Sequence, residues 1–186
     1  NAAPSAPINV TAIASNASAT ISWDPPVSIN GSAITGYTVT AYKGNVLVSG
    51  ASCTTTTAET CTINGLTNGD AYTFAVTATN AIGTSVASVA SAAVTPSTVP
   101  DAPTAVTAAV GDTQATISFT APTNTGGAAL TSYTVTSSPG GFTCTVNAPT
   151  TSCIVSGLTN GAAYTFTVKA SNANGASLAS TASSSI

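Results

Sequence analysis

Apolar and polar residues alternate along most of the chain with a period of two, the signature of strands that bury one face. Tyr72, Phe74, Val76 and Ala78 alternate with Thr73, Ala75, Thr77 and Thr79. Ala19, Ile21 and Trp23 form a second apolar row, and Tyr37, Val39 and Ala41 a third, with Thr20, Ser22, Thr38 and Thr40 pointing the other way. Such one-sided rows predict antiparallel strands with one wet face. Turn chemistry punctuates them: Asn30-Gly31, Asn68-Gly69 and Asn160-Gly161 tolerate positive φ, and Gly44-Asn45 and Pro139-Gly140-Gly141 sit where hairpins should close. No segment carries a helical stripe. The Ala-rich stretch from Val86 to Val94 alternates with serine after Gly83 and is read as a final strand.

The pattern occurs twice. Ala19-Thr20-Ile21-Ser22-Trp23 returns as Ala115-Thr116-Ile117-Ser118-Phe119, and Tyr37-Thr38-Val39-Thr40 returns at the same offset as Tyr133-Thr134-Val135-Thr136. Gly65-Leu66-Thr67-Asn68-Gly69 with Tyr72 returns at a shorter offset as Gly157-Leu158-Thr159-Asn160-Gly161 with Tyr164. The second copy has therefore lost residues between Tyr133 and Gly157. Pro96, Pro100 and Pro103 mark the junction, where missing backbone donors and fixed φ favour an extended link. Two domains are expected, 1–97 and 98–186, each with about seven short strands arranged as a β-sandwich.

Four cysteines fall as two close pairs, Cys53 with Cys61 and Cys144 with Cys153, one pair in each copy. This spacing predicts two local disulfides and an oxidising compartment. A four-cysteine zinc site would instead need short two-cysteine knuckles, which these spacings do not supply. A disulfide closing so short a loop stabilises by ~2.5 kcal/mol in the chain-entropy picture.

Composition narrows the chemistry sharply. The 186 residues carry a net charge of −3, and the absence of histidine excludes a Ser/His/Asp or Cys/His relay and any imidazole ligand. Lys43 and Lys169 are the only cations, too few to hold a phosphate backbone, so nucleic acid is excluded as a partner. Charged residues are 4% of the chain, and serine and threonine must supply the solvation that charge usually provides. Mean hydropathy is +0.36, yet no apolar run approaches the roughly 18 residues of a membrane span, so membrane insertion is not expected. The first residues lack a basic n-region and an apolar h-region, as in a processed product or an excised fragment.

The chain resembles the fibronectin type III domain. The likeness rests on Ala6-Pro7, Trp23-Asp24-Pro25-Pro26, Ile34-Thr35-Gly36-Tyr37-Thr38-Val39, Gly65-Leu66 before Tyr72, and Asn80-Ala81-Ile82-Gly83. The second copy has Ala102-Pro103, Phe119-Thr120-Ala121-Pro122, Leu130-Thr131-Ser132-Tyr133-Thr134-Val135, Gly157-Leu158 before Tyr164, and Asn172-Ala173-Asn174-Gly175. The resemblance implies an all-β fold of two tandem immunoglobulin-like, seven-stranded sandwiches. It also implies that Tyr72 and Tyr164 are tyrosine corners, whose hydroxyls bond to upstream backbone. Phe119 departs from the usual tryptophan, and the cysteine pairs are outside the general family pattern.

No catalytic, cofactor-binding or metal-binding set emerges. Asp24, Glu59, Asp70, Asp101 and Asp112 are scattered singly, whereas paired-carboxylate hydrolysis needs two acids across a cleft and calcium needs several oxygens. Outward Thr-x-Thr pairs such as Thr38 with Thr40 and Thr134 with Thr136 suit an ordered-water face, although the β-propensity of threonine accounts for them equally. Sugar binding usually presents exposed aromatics; Tyr42 and Phe142 are the candidates, the others reading as inward. The expected function is therefore a non-catalytic extracellular protein, secreted or at the cell surface: a spacer or building block of an adhesin or filament. Weak charge repulsion would permit self-association into a fibre. The alternatives are an accessory module of a secreted polysaccharide-degrading enzyme, as the resemblance implies, or a glycan- or protein-binding module.

Overall fold

A computed structural model describes all residues, Asn1–Ile186, as two compact all-β units, Asn1–Ser97 and Thr98–Ile186. In the first, β1 (Ile8–Ser15), β2 (Ser18–Asp24) and β5 (Thr60–Asn64) form one antiparallel sheet in the order β1-β2-β5. Strands β3 (Ile34–Lys43), β4 (Val46–Thr55) and β6 (Thr73–Asn80) form the other, in the order β4-β3-β6. The second unit repeats this with β7 (Thr104–Gly111), β8 (Gln114–Thr120) and β11 (Ser152–Ser156), ordered β11-β8-β7. Its facing sheet contains β9 (Ser132–Ser138), β10 (Thr143–Asn147), β12 (Thr165–Asn172) and the two-residue β13 (Gly175–Ala176), ordered β10-β9-β12-β13.

Alternation in the sequence becomes alternation in burial. Along β8, Ala115, Ile117 and Phe119 are buried while Gln114, Thr116, Ser118 and Thr120 are exposed. Trp23 and Tyr37 pack with ring centroids 5.4 Å apart, and Phe119 and Tyr133 at 4.9 Å, so each core carries a tilted aromatic pair in the same place. Phe74, Val76, Ile21 and Ile63 fill the first core and Phe166, Val168, Ile117 and Val155 the second. Burying a side chain of this size contributes roughly 1.5–3 kcal/mol. The Trp23 indole N–H is buried without a hydrogen-bond partner. Since Phe119 fills the same place in the second unit, the ring rather than its nitrogen is what this position requires.

The last segment of each unit departs from the expected strand. Residues 85–94 pair with β6, but every third residue faces it rather than every second. Ser85, Ser88 and Ser91 donate their N–H groups to the carbonyls of Ala78, Val76 and Phe74 at 2.8–2.9 Å. In return their Oγ atoms accept the N–H groups of Ala78, Val76 and Phe74 at 2.9–3.1 Å. Three residues of the segment thus advance as far as two of the strand, about 6.8 Å, too short a rise for an extended chain. The backbone winds, its carbonyls turn away from β6, and a serine hydroxyl supplies each missing acceptor. Tyr72 and Val94 close the ladder with two ordinary backbone bonds of 2.9 Å.

The second unit repeats the device on β12. Ser177, Ser180 and Ser183 serve Ala170, Val168 and Phe166, and Ile186 pairs with Tyr164. Each of these serines also donates its hydroxyl to the next carbonyl along the chain, at 2.7–2.8 Å, so the hydroxyl is a fixed link between two backbones. The two residues between successive serines point to solvent, which leaves Val89 89% and Leu178 85% exposed. Removing one hydroxyl would strand a buried N–H, at about 1–3 kcal/mol. Ser180→Ala is therefore expected to destabilise the second unit by about that amount in denaturant unfolding, while Thr181→Ala, one residue on, changes it by less than about 0.5 kcal/mol.

Candidate functional site

The side chains singled out in the sequence lie in separate places, the cysteines within strands and the tyrosines at 72 and 164 beside loops. At one end of each sandwich the Gly-Leu-Thr-Asn-Gly loop clamps the hairpin joining the first two strands. Leu66 is buried and its N–H donates to Ala17 O at 2.9 Å, while Asn68 Oδ1 accepts the Ala17 N–H at 2.8 Å. Ala17 holds a positive φ of 47°, a conformation that a β-carbon disfavours and that these two bonds secure. Thr113, at φ 54°, is held identically by Leu158 and Asn160. Tyr72 Oη accepts the Thr67 N–H at 3.1 Å and Tyr164 Oη the Thr159 N–H at 3.2 Å, so both phenols bond to upstream backbone.

At the other end a single buried asparagine ties three segments together. Asn80 Nδ2 donates to Ala2 O and Ile29 O at 2.9 and 3.1 Å, and its Oδ1 accepts the N–H groups of Ile82 and Gly83. Asn172 does the same work in the second unit, donating to Thr98 O and Thr125 O at 2.7 and 2.8 Å. The amide carries both donors and an acceptor on one short side chain, a combination that neither aspartate nor leucine could supply.

The cysteines form the disulfides Cys53–Cys61 and Cys144–Cys153, with Cα atoms 6.3 and 6.2 Å apart. Each joins an edge strand of one sheet to an edge strand of the other: β4 to β5, and β10 to β11. Phe142, expected to be exposed, is instead half-buried against Tyr164 with centroids 6.3 Å apart and packs on the second core. Glycines at 140 and 157 leave the space its ring occupies. Tyr42 is half-buried as well.

The acids are engaged one by one. Asp24 accepts from Asn9 Nδ2 at 2.7 Å, Asp112 from Asn160 Nδ2 at 2.8 Å, and Asp70 pairs with Lys43 Nζ at 2.7 Å. Three carboxylates are thus structural braces in three separate places. Hydroxyls take over where ion pairs would otherwise appear across strands: Thr20 and Thr62 lie 2.9 Å apart, Thr79 and Thr84 3.0 Å, and Thr134 and Thr145 3.2 Å. A shallow cavity of about 560 Å³ along β3 and β4 is lined by Thr38, Thr54, Thr55, Thr56 and Thr57 among others. It offers hydroxyls and no ionised group.

Two antiparallel sheets packed over a hydrophobic layer, twice in one chain, define a tandem of immunoglobulin-like sandwiches. The sequence matches the fibronectin type III domain over residues 2–94 and again over 101–186, and the chain belongs to that family. It is 37% identical to chitinase A1 of Niallia circulans over 185 residues, which cover 93% of this chain and 24% of that protein. It is 35% identical to endoglucanase B of Cellulomonas fimi over 176 residues, 89% of this chain and 16% of that protein. Exoglucanase B of Cellulomonas fimi is 34% identical over 97% of this chain and 16% of its own length. The chain thus spans less than a quarter of each of these relatives.

The groups whose proton affinity the fold shifts, Tyr37, Tyr133 and Lys43, lie on the alkaline side. Burial holds the Tyr37 and Tyr133 phenols above the ordinary tyrosine range, and the Glu59 charge adds to the effect at Tyr37. The Lys43 ammonium is raised chiefly by its hydrogen bond to Asp70. All three bind their protons more tightly in the folded state, so the stability they contribute is intact below about pH 10 and is lost as the pH rises past it. With no histidine and no free thiol, the melting temperature is expected to hold level from pH 7 to 9 and fall above about pH 10. Replacing both Tyr37 and Tyr133 by phenylalanine should flatten part of that fall in a pH series of thermal melts.

Proposed function

We propose that this chain is a non-catalytic accessory region of a secreted polysaccharide-degrading enzyme, a pair of modules that spaces other domains. The observation that carries this reading is the similarity, along nearly the whole chain, to a small fraction of two glucanases and a chitinase. Their names assign activity to much longer proteins. The residues of this chain that align with them match the fibronectin type III domain.

The physical properties of the chain suit such a role. Two disulfides between sheets fit an oxidising, extracellular setting. Three braced carboxylates and threonine-bearing faces give a surface with few charges. The junction between units is short: Pro96 O accepts the Gly69 N–H within the first unit, and Thr98 N–H donates to Gly126 O within the second. The adhesin or filament reading, drawn from the missing catalytic set, the proline-rich link and the low charge, has no counterpart among these relatives.

The test is immunodepletion of culture fluid from the source organism with an antibody raised against this chain. The antibody is expected to remove hydrolysis of insoluble cellulose or chitin in step with a polypeptide several times longer than 186 residues. Recovery of fibres made of this chain alone, with polysaccharide hydrolysis untouched, would reverse the assignment.

A further inference from the structure

The chain contains five Asn-Gly pairs, at 30–31, 64–65, 68–69, 160–161 and 174–175. Asparagine is a thermolabile residue, and before glycine it is most open to attack by its own backbone, because no β-carbon keeps the following nitrogen from the amide carbon Cγ. Four of the five pairs are held away from that reaction. Asn30 Nδ2 donates to Ala3 O at 2.6 Å, and its Oδ1 accepts the Ser28 hydroxyl at the same distance. Asn68 and Asn160 each accept a backbone N–H, from Ala17 and Thr113, and donate to Asn16 and Asp112. Asn174 Nδ2 donates to Thr98 O at 3.1 Å, while its N–H donates to Asn172 Oδ1.

Asn64 is the exception. It ends β5 opposite Ser18, its side chain is exposed, and no hydrogen bond fixes its amide. Gly65 holds a φ of 77°, and beyond its chain neighbours nothing lies within 4 Å of where a β-carbon would stand, so the surroundings leave room for a ring to close. At Gly31 the same space is taken by Asn1 Oδ1 at 2.6 Å. In the second unit the corresponding pair is Ser156-Gly157, which has no amide to lose. The residue after Gly65 belongs to the clamp: Leu66 N–H donates to Ala17 O, one residue from the Ser18 that faces Asn64. The chain is thus tied to one hairpin on both sides of Gly65.

We infer that Asn64 is a site of spontaneous modification, where the Gly65 nitrogen displaces ammonia from the side-chain amide and the clamp of the first unit is loosened. Hydroxide removes the Gly65 amide proton, the nitrogen bonds to Asn64 Cγ, and the Cγ–Nδ2 bond breaks; ammonia leaves with a proton taken back from water. Water then opens the cyclic imide. Attack at Cγ leaves aspartate, and attack at the main-chain carbonyl leaves isoaspartate, whose link to Gly65 runs through Cβ and Cγ and is one carbon longer. Nothing is oxidised or reduced, and one carboxylate stands where a neutral amide stood. In isoaspartate the extra carbon falls between the pairing with Ser18 and the bond from Leu66, so the two ties no longer keep one register. Ala17, at φ 47°, then loses part of what secures it. The change is one-way and confined to the first unit.

The experiment ages the whole chain in mildly alkaline buffer and follows conversion at each Asn-Gly pair by peptide mapping with mass spectrometry, alongside thermal unfolding of the same samples. Asn64 is expected to convert at least about tenfold faster than Asn30, Asn68, Asn160 or Asn174, since each of those has first to release its hydrogen bonds. Isoaspartate at 64 should lower the melting temperature of the first unit and leave that of the second unchanged. Asn64→Ser, which copies the second unit, should start with the stability of the parent chain and keep it on ageing. Asn64→Asp carries the charge without the longer link and, freshly made, should melt like the unaged parent. Conversion at another pair before Asn64, or at all five at like rates, would overturn the site. A first unit that melts unchanged with isoaspartate in place, or an Asn64→Asp variant that melts as low as the aged protein, would overturn the loosening of the clamp.

Discussion

Everything in each sandwich depends on how the sixth long strand of the unit satisfies its outer edge. Strands β6 and β12 carry the densest apolar rows of their units, with Phe74, Val76 and Ala78 in one and Phe166, Val168 and Ala170 in the other. Their inner neighbours β3 and β9 complete one side of the ladder. The other side would be an open row of amide groups, expensive if dry and a template for aggregation if wet. Serines at every third position close that row with side-chain oxygens as acceptors and backbone N–H groups as donors. The wound segment presents two outward residues for each inward one, so it covers the edge without offering an extended strand to another chain.

The same economy runs through the rest of the molecule. With 4% charged residues the chain has few ion pairs to draw on, and Lys43–Asp70 is an exposed one of the kind that contributes little. Cross-strand hydroxyl pairs, the asparagines at positions 80 and 172, and the loop asparagines at 68 and 160 do the joining instead. Neutral hydrogen bonds of this sort do not weaken in salt or change through the neutral pH range. That indifference suits the extracellular accessory role proposed above.

The fold class was legible because alternation with period two is a local property, and nothing in the tertiary structure overrides it in β2, β3 or β8. The aromatic rows and the loop motifs before Tyr72 and Tyr164 were legible for the same reason. The stretch from Val86 to Val94 departs from the expected strand because the loose alternation of serine and alanine mimics a period of two where the true period is three. The signal was present: Ser85, Ser88 and Ser91, and again Ser177, Ser180 and Ser183, recur every three residues in both copies. Phe142 was misplaced because a residue after two glycines resembles a loop tip, whereas the glycines in fact clear the space into which its ring folds back toward Tyr164. The roles of Asn80 and Asn172 lay beyond local pattern, since each joins segments as far apart as 78 and 74 residues.

The most direct measurement is native-state amide hydrogen exchange resolved at Phe74, Val76, Ala78, Phe166, Val168 and Ala170. These N–H groups point at serine hydroxyls rather than at strand carbonyls. If the ladder is an integral part of each sandwich, they exchange only with the global unfolding of their unit and share its denaturant dependence. Exchange at the rate of surface loops, independent of denaturant, would mean that the serine segments merely rest against the sheets, and the account of how each edge is closed would be wrong.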